Sequence, residues 1–208
     1  TAVIPVVAAG TMNLGEIVAM QSGGLWNWFI FRDIFTFLAF FVFFTVTLAS
    51  NKRAPFDLAE ADSELEAGFH TEYSGMRWSF FFLAEYASMY FVSALGAILF
   101  LGGWYTGLGG LDAWVTENIG SVGARVLGFG VLLTKAGFLV FVQIWIRWTL
   151  PRLRIDQVMT TCLKYLVPIS CVLFLGAVLW PLICLQQWSQ TSLLNVEPPA
   201  ERLPVNEE

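Results

Sequence analysis

The 208-residue chain is 57% hydrophobic, and only 13% of it is Asp, Glu, Lys or Arg, about half the share of a soluble domain. So few charges cannot cover a soluble surface, and the composition is the opposite of a disordered chain, so both classes are excluded. What remains is an all-α polytopic membrane protein. Its net charge of −5, from 11 basic and 16 acidic residues, offers no basic face and excludes a nucleic-acid partner.

In chain order, residues 1–10 (TAVIPVVAAG) read as the end of a preceding membrane helix, so that the chain is expected to start inside a larger protein. A helix bundle is then expected over 11–185. A spanning helix needs about 20 mostly apolar residues, and four runs meet that length, at about 28–49, 78–101, 125–146 and 158–185. Each is apolar all round, which leaves no strand reading. Residues 50–77 form a loop between the first two, and 186–208 read as a polar flexible tail. Cys162, Cys171 and Cys184 lie in or near the last run without CxxC spacing, and are expected to be small core residues rather than metal or iron–sulfur ligands.

Basic residues set the orientation. Lys52, Arg53 and Arg77 lie in or beside the first connection, and Arg147, Arg152 and Arg154 in the third, whereas 102–124 holds neither Lys nor Arg. Four spans place both basic connections on one side, expected to be the cytoplasmic or matrix side. Trp26, Trp28, Trp104, Trp145, Trp148 and Trp188 fall near predicted helix ends, as an interfacial belt does.

The most informative stretch is Arg53–Tyr73, RAPFDLAEADSELEAGFHTEY, with six acids at Asp57, Glu60, Asp62, Glu64, Glu66 and Glu72. A charge run is usually a solvated face. Here Phe56, Leu58, Leu65 and Phe69 interleave with the acids beside a lipid boundary, so the loop is expected to tuck toward the bundle and line a polar cavity. Crowded carboxylates raise one another's pKa. Within the spans, Glu85 and Lys135 stand where a charge costs about 2.5–3.5 kcal/mol, and such residues normally serve ion or proton pathways. A Glu85–Lys135 pair that only fixes packing is the bland alternative. Arg32 and Asp33 read as interfacial anchors, and the lone His70 as incidental. No metal site is expected, because nothing has dependable ligand spacing.

These residues carry a family resemblance. RAPFDLAEADSELEAGFHTEYSGM followed by FFFLAEY, and further on WIRWTLPRLRIDQVM, resemble the two signatures of the H subunit of bacterial respiratory complex I, whose mitochondrial counterpart is NADH dehydrogenase subunit 1. The match covers essentially Thr1–Leu185 and implies the C-terminal half of an eight-helix protein. It further implies a membrane component of a proton-pumping NADH:quinone oxidoreductase in the bacterial inner membrane, forming part of the quinone chamber and coupling quinone reduction to proton translocation. Flavin mononucleotide and iron–sulfur clusters would be held by partner subunits, with quinone as substrate and no redox centre in this chain.

Carried over by position, the resemblance implies proton coupling for Glu60, Asp62, Glu64, Glu72, Glu85 and Lys135. Arg53, Phe56, Asp57 and Tyr73 would face quinone, and Arg147, Arg152, Arg154 and Asp156 would serve structure or interface. Ser50, Ile155 and Glu66 depart from the usual pattern, as does Asp62, which stands where Glu is commoner. The rival readings are a membrane subunit of an energy-converting nickel–iron hydrogenase, a stand-alone ion transporter, and a structural anchor for the peripheral arm. Four helices without inverted repeats suit a transporter poorly.

Overall fold

The computed structural model describes residues 1–51, 53, 55–56, 73–151 and 153–187, with backbone alone at 109, 111–113, 115–116, 118–121 and 181–187. Among the described residues the fold is helical, with a single isolated bridge pair, Gly24 and Leu108, and no strand. The helices are α1 (Val3–Ala9), α2 (Leu14–Met20), α3 (Phe29–Arg32), α4 (Ile34–Ser50), α5 (Met76–Phe100), α6 (Gly109–Thr149), α7 (Ile155–Thr160) and α8 (Val167–Gln187). A 3₁₀ turn (Leu25–Asn27) precedes α3, and a π-helical turn (Thr161–Leu166) joins α7 to α8.

Three described stretches are long and apolar enough to cross a membrane: Met76–Phe100, Val122–Thr149 and Ile155–Trp180. The pair α1 and α2, bent by 68°, makes a fourth if taken as one broken span. Gly10, at φ 71°, ends α1 in the left-handed region that glycine tolerates. Asn13 then starts α2 by accepting from Gly15 N–H at 3.1 Å.

The structure departs from the sequence reading in three places. The run 28–49 is not one helix: it breaks at Asp33, in extended conformation between α3 and α4. Thr36 Oγ donates to the carbonyls of Phe29 and Asp33, partnering oxygens at the break. At 17 residues, α4 is about 25 Å long. The third helix begins at Gly109 rather than near 125 and runs 41 residues. The fourth run carries the π turn near its start.

The core forms where α1 to α5 and α8 meet, around Ile4, Ile17, Phe29, Phe43, Phe100 and Leu173. Glycines allow close approach: a Cβ on Gly96 would lie 2.8 Å from Phe43, and one on Gly176 would run into the Phe35 ring. The cysteine expectation is corrected here, since Cys171 is exposed and Cys162 half-buried. In a membrane span an outward face is apolar too, so apolar neighbours do not place a thiol inside.

The described residues of the two basic connections meet at one end of the bundle, where Leu153 N–H donates to Pro55 C=O at 3.0 Å. At the other end the Gly24–Leu108 bridge joins the segment before α3 to the connection between α5 and α6.

Candidate functional site

The site is a polar seam along the α5–α6 interface. On α5, Glu85, Met89 and Ser93 follow at i, i+4 and i+8 and share one stripe, whereas Phe82, Leu83 and Phe91 on other faces are exposed. Met89 and Ser93 are buried, and Glu85 stands where the stripe leaves the core, its side chain about one-third exposed.

At the loop end Arg53 is buried at 3% exposure. Its N–H donates to Leu48 C=O at 3.1 Å and its carbonyl accepts from Phe56 N–H at 2.8 Å, so the turn after α4 fixes its backbone. Arg53 Nε lies 3.2 Å from Glu85 Oε1, and the guanidinium sits 4.5 Å over the Tyr86 ring. The ion pair is close but poorly aligned. Among the described residues neither Nε nor Nη2 of Arg53 makes a hydrogen bond. Asn51 Oδ1 accepts from Ser88 Oγ at 3.4 Å, and Ser88 also donates to Glu85 C=O at 2.8 Å.

A cleft of about 60 Å³ opens here, lined by Arg53, Tyr86, Met89, Gln143, Ile144, Arg147 and Trp148. Gln143 is 1% exposed; its Nε2 donates to Ser93 Oγ at 3.0 Å, and its Oε1 has no donor among the described residues. An unmet buried donor or acceptor costs about 1–3 kcal/mol. The cleft thus concentrates unmet donors on one wall and an unmet acceptor on another.

Lys135 stands at the other end of the seam. Its Nζ donates to the carbonyls of Leu101, Gly103 and Tyr105 at 2.6, 3.2 and 2.6 Å. The ammonium also lies 4.3 Å over the Trp28 ring. Gly102 and Gly103, at φ 74° and 52°, turn the chain so that these carbonyls converge. Gln21, fully buried, braces the same turn: its Oε1 accepts from Gly102 N–H at 3.0 Å, and its Nε2 donates to Ile98 C=O at 3.2 Å.

The structure therefore brings Arg53, Glu85 and Arg147 to one end and leaves Lys135 apart. Glu85 and Lys135 do not pair: 16 residues separate Glu85 from Leu101, about 24 Å of helix. Phe56 is buried beside Arg53 in the turn after α4. Tyr73, partly exposed, packs on Phe81 at 5.0 Å. Arg154 and Asp156 are exposed at the start of α7, where Gln157 Oε1 accepts from Arg154 N–H at 3.2 Å. Asp57, Glu60, Asp62, Glu64, Glu72 and Arg152, with His70, the neighbouring acid Glu66 and the tail 188–208, lie outside the described residues. Asn51, Ser93, Gln143 and Gln21 were not among the expected site residues. Their one signal is an amide or hydroxyl in an otherwise apolar run. Among the described residues no cluster of His, Cys, Asp and Glu could hold a metal.

The family model described as NADH dehydrogenase matches residues 1–178. The chain belongs to that family. The relatives it resembles include the NADH-quinone oxidoreductase H subunit of Chlorobaculum tepidum, 47% identical over 174 residues, which cover 83% of this chain and 48% of the relative. The Bacteroides fragilis protein of the same name is 48% identical over 172 residues, covering 80% of this chain and 45% of its own length. That of Anaeromyxobacter dehalogenans is 37% identical over 187 residues, covering 86% and 45%. The chain spans about half the length of these curated relatives. The family expected from the two sequence motifs is the family found.

Proposed function

We propose that this chain is part of the membrane arm of a proton-translocating NADH:quinone oxidoreductase, contributing to the wall of the quinone chamber and coupling quinone reduction to proton movement. Family membership and the names of its relatives support the assignment to that complex, and the Arg53–Glu85 pair beside the cleft carries the coupling reading. Quinone is the substrate, and Arg53, Phe56, Asp57 and Tyr73 serve to bind it. Flavin mononucleotide and iron–sulfur clusters belong to partner subunits, and this chain lies in the bacterial inner membrane.

Quinone reduction consumes protons and changes the charge near the acidic loop. Glu60, Asp62, Glu64 and Glu72 answer that change, and Glu85 receives it inside the bundle. Protonating Glu85 removes the charge that Arg53 faces. A buried guanidinium without its partner is costly, so Arg53 turns its unmet N–H groups toward another acceptor in or beside the cleft. The pair thus converts a protonation event into a side-chain movement. Arg147, Arg152, Arg154 and Asp156 stabilise the surface where the peripheral subunits seat.

The test is Glu85→Gln in the assembled complex, alone and with Glu64→Gln and Glu72→Gln. Assembly should persist while quinone reduction coupled to proton translocation falls on the order of a hundredfold, the lower end of what losing a positioned proton-transfer group costs. Parent-like turnover and pumping in these variants would refute the reading. Hydrogen evolution without quinone dependence in the parent complex would transfer the same acids to the hydrogenase alternative.

A further inference from the structure

Lys135 has three N–H donors, and three carbonyl oxygens lie within 3.2 Å of its Nζ. Those carbonyls belong to the chain leaving the C-terminus of α5, where unpaired carbonyls and the helix dipole concentrate negative potential. The Trp28 face adds to it. Three converging carbonyls and a ring face anchor the side-chain nitrogen in this pocket.

Spacing gives the cation a second property. Gln143 and Lys135 are eight residues apart on α6, and their partners Ser93 and Leu101 are eight residues apart along α5 and its end. Two antiparallel helices are thereby held at matched points two turns apart. Tyr90, whose hydroxyl donates to Leu133 C=O at 3.0 Å, adds a third tie. A further eight residues along α5 from Ser93 lies Glu85, level with the end of α6 that carries Arg147.

We infer that Lys135 is a register pin: it locks the end of α5 to α6 and so holds Glu85 level with the end of α6 that carries Arg147, acting as a positioning residue and not as a proton carrier. The inference rests on the reading that Glu85 takes part in coupling. It reassigns the role that the family resemblance implied for this lysine.

The test uses the intact complex in proteoliposomes, with Lys135→Arg, Lys135→Gln and Lys135→Met compared per assembled complex. Arginine keeps the charge but cannot release its proton. Glutamine keeps two N–H donors and never titrates. Methionine removes both charge and donors. Lys135→Met should lower the yield of complex and cut quinone reduction by up to about a hundredfold, the scale of displacing a catalytic group by an ångström or so. Lys135→Arg should restore yield and turnover to within about twofold of parent, since a cation and its donors are retained. Its proton translocation should follow the parent pH profile. Lys135→Gln should translocate the parent number of protons per electron in whatever fraction assembles.

An arginine or glutamine variant that reduces quinone at the parent rate without moving protons overturns the inference, as does an arginine profile lacking a limb that the parent shows. If the parent complex itself does not couple NADH oxidation to quinone reduction, the proposed function falls on its own. Thermal melting still decides the pin in that case: parent and arginine together, then glutamine, then methionine supports it, and a methionine variant as stable as parent overturns it.

Discussion

Arg53 and Lys135 are cations at opposite ends of the α5–α6 seam, and their surroundings treat them in opposite ways. Lys135 meets three converging carbonyls and an aromatic face. Arg53 is almost wholly buried against one partly exposed carboxylate, with Nε and Nη2 making no hydrogen bond among the described residues. A saturated cation is a fastener, since moving it breaks several charge-assisted bonds together. An under-saturated one has an alternative partner to gain, so its position can answer to a change of charge nearby. The difference separates the part of the seam that sets geometry from the part that responds.

The largest expected effect comes from emptying the responsive end. Arg53→Ala removes the guanidinium that Glu85 faces and opens the cleft further. Breaking a wholly buried pair costs about 3–5 kcal/mol, and less here because Glu85 is partly solvated. Quinone reduction per assembled complex should fall on the order of a hundredfold, as for a displaced catalytic group. Retention of more than half the parent rate would erase the contrast.

Conservative exchange of the two cations sharpens it. Arg53→Lys should rescue poorly, because a compact ammonium neither stacks on Tyr86 as a planar guanidinium does nor offers its forked donors, whereas Lys135→Arg should rescue well. Equal rescue at both positions would show that charge alone matters. Packing supplies a smaller effect. Gly96→Ala drives a Cβ to within 2.8 Å of a ring carbon of Phe43 and should destabilise the helix crossing by about 1–3 kcal/mol, read as a lower melting temperature. The smallest is Gln143→Leu, which loses the bond to Ser93 but also removes an unmet acceptor. Its stability should fall by no more than about 1 kcal/mol.

The apolar runs and the two motifs made the helical membrane class and the family legible. What they left out follows from physics that composition does not carry. A run from Trp28 to Ala49 looks continuous, yet Thr36 supplies a hydroxyl where the backbone opens at Asp33, so the break costs less than a hydropathy pattern implies. Glu85 and Lys135 stand out because charges are rare in such a chain. Their partners could not be read, because Lys135 bonds to carbonyls, which every residue has, and Glu85 pairs with an arginine 32 positions earlier. Gln21 and Gln143 were the least visible, being neutral amides whose worth depends on what converges on them.

The π-helical turn at Thr161–Leu166 carries one more consequence. Such a turn accommodates one residue beyond the α-helical count, which rotates everything before it by about 100° relative to a regular helix. Deleting a single residue there should leave the span intact as an uninterrupted α-helix. It should also swing Asp156 and Gln157 about a quarter turn around the axis. The last helix thus behaves as a shaft with an indexed joint, whose setting decides the direction in which its motif-bearing end points while its apolar length stays seated.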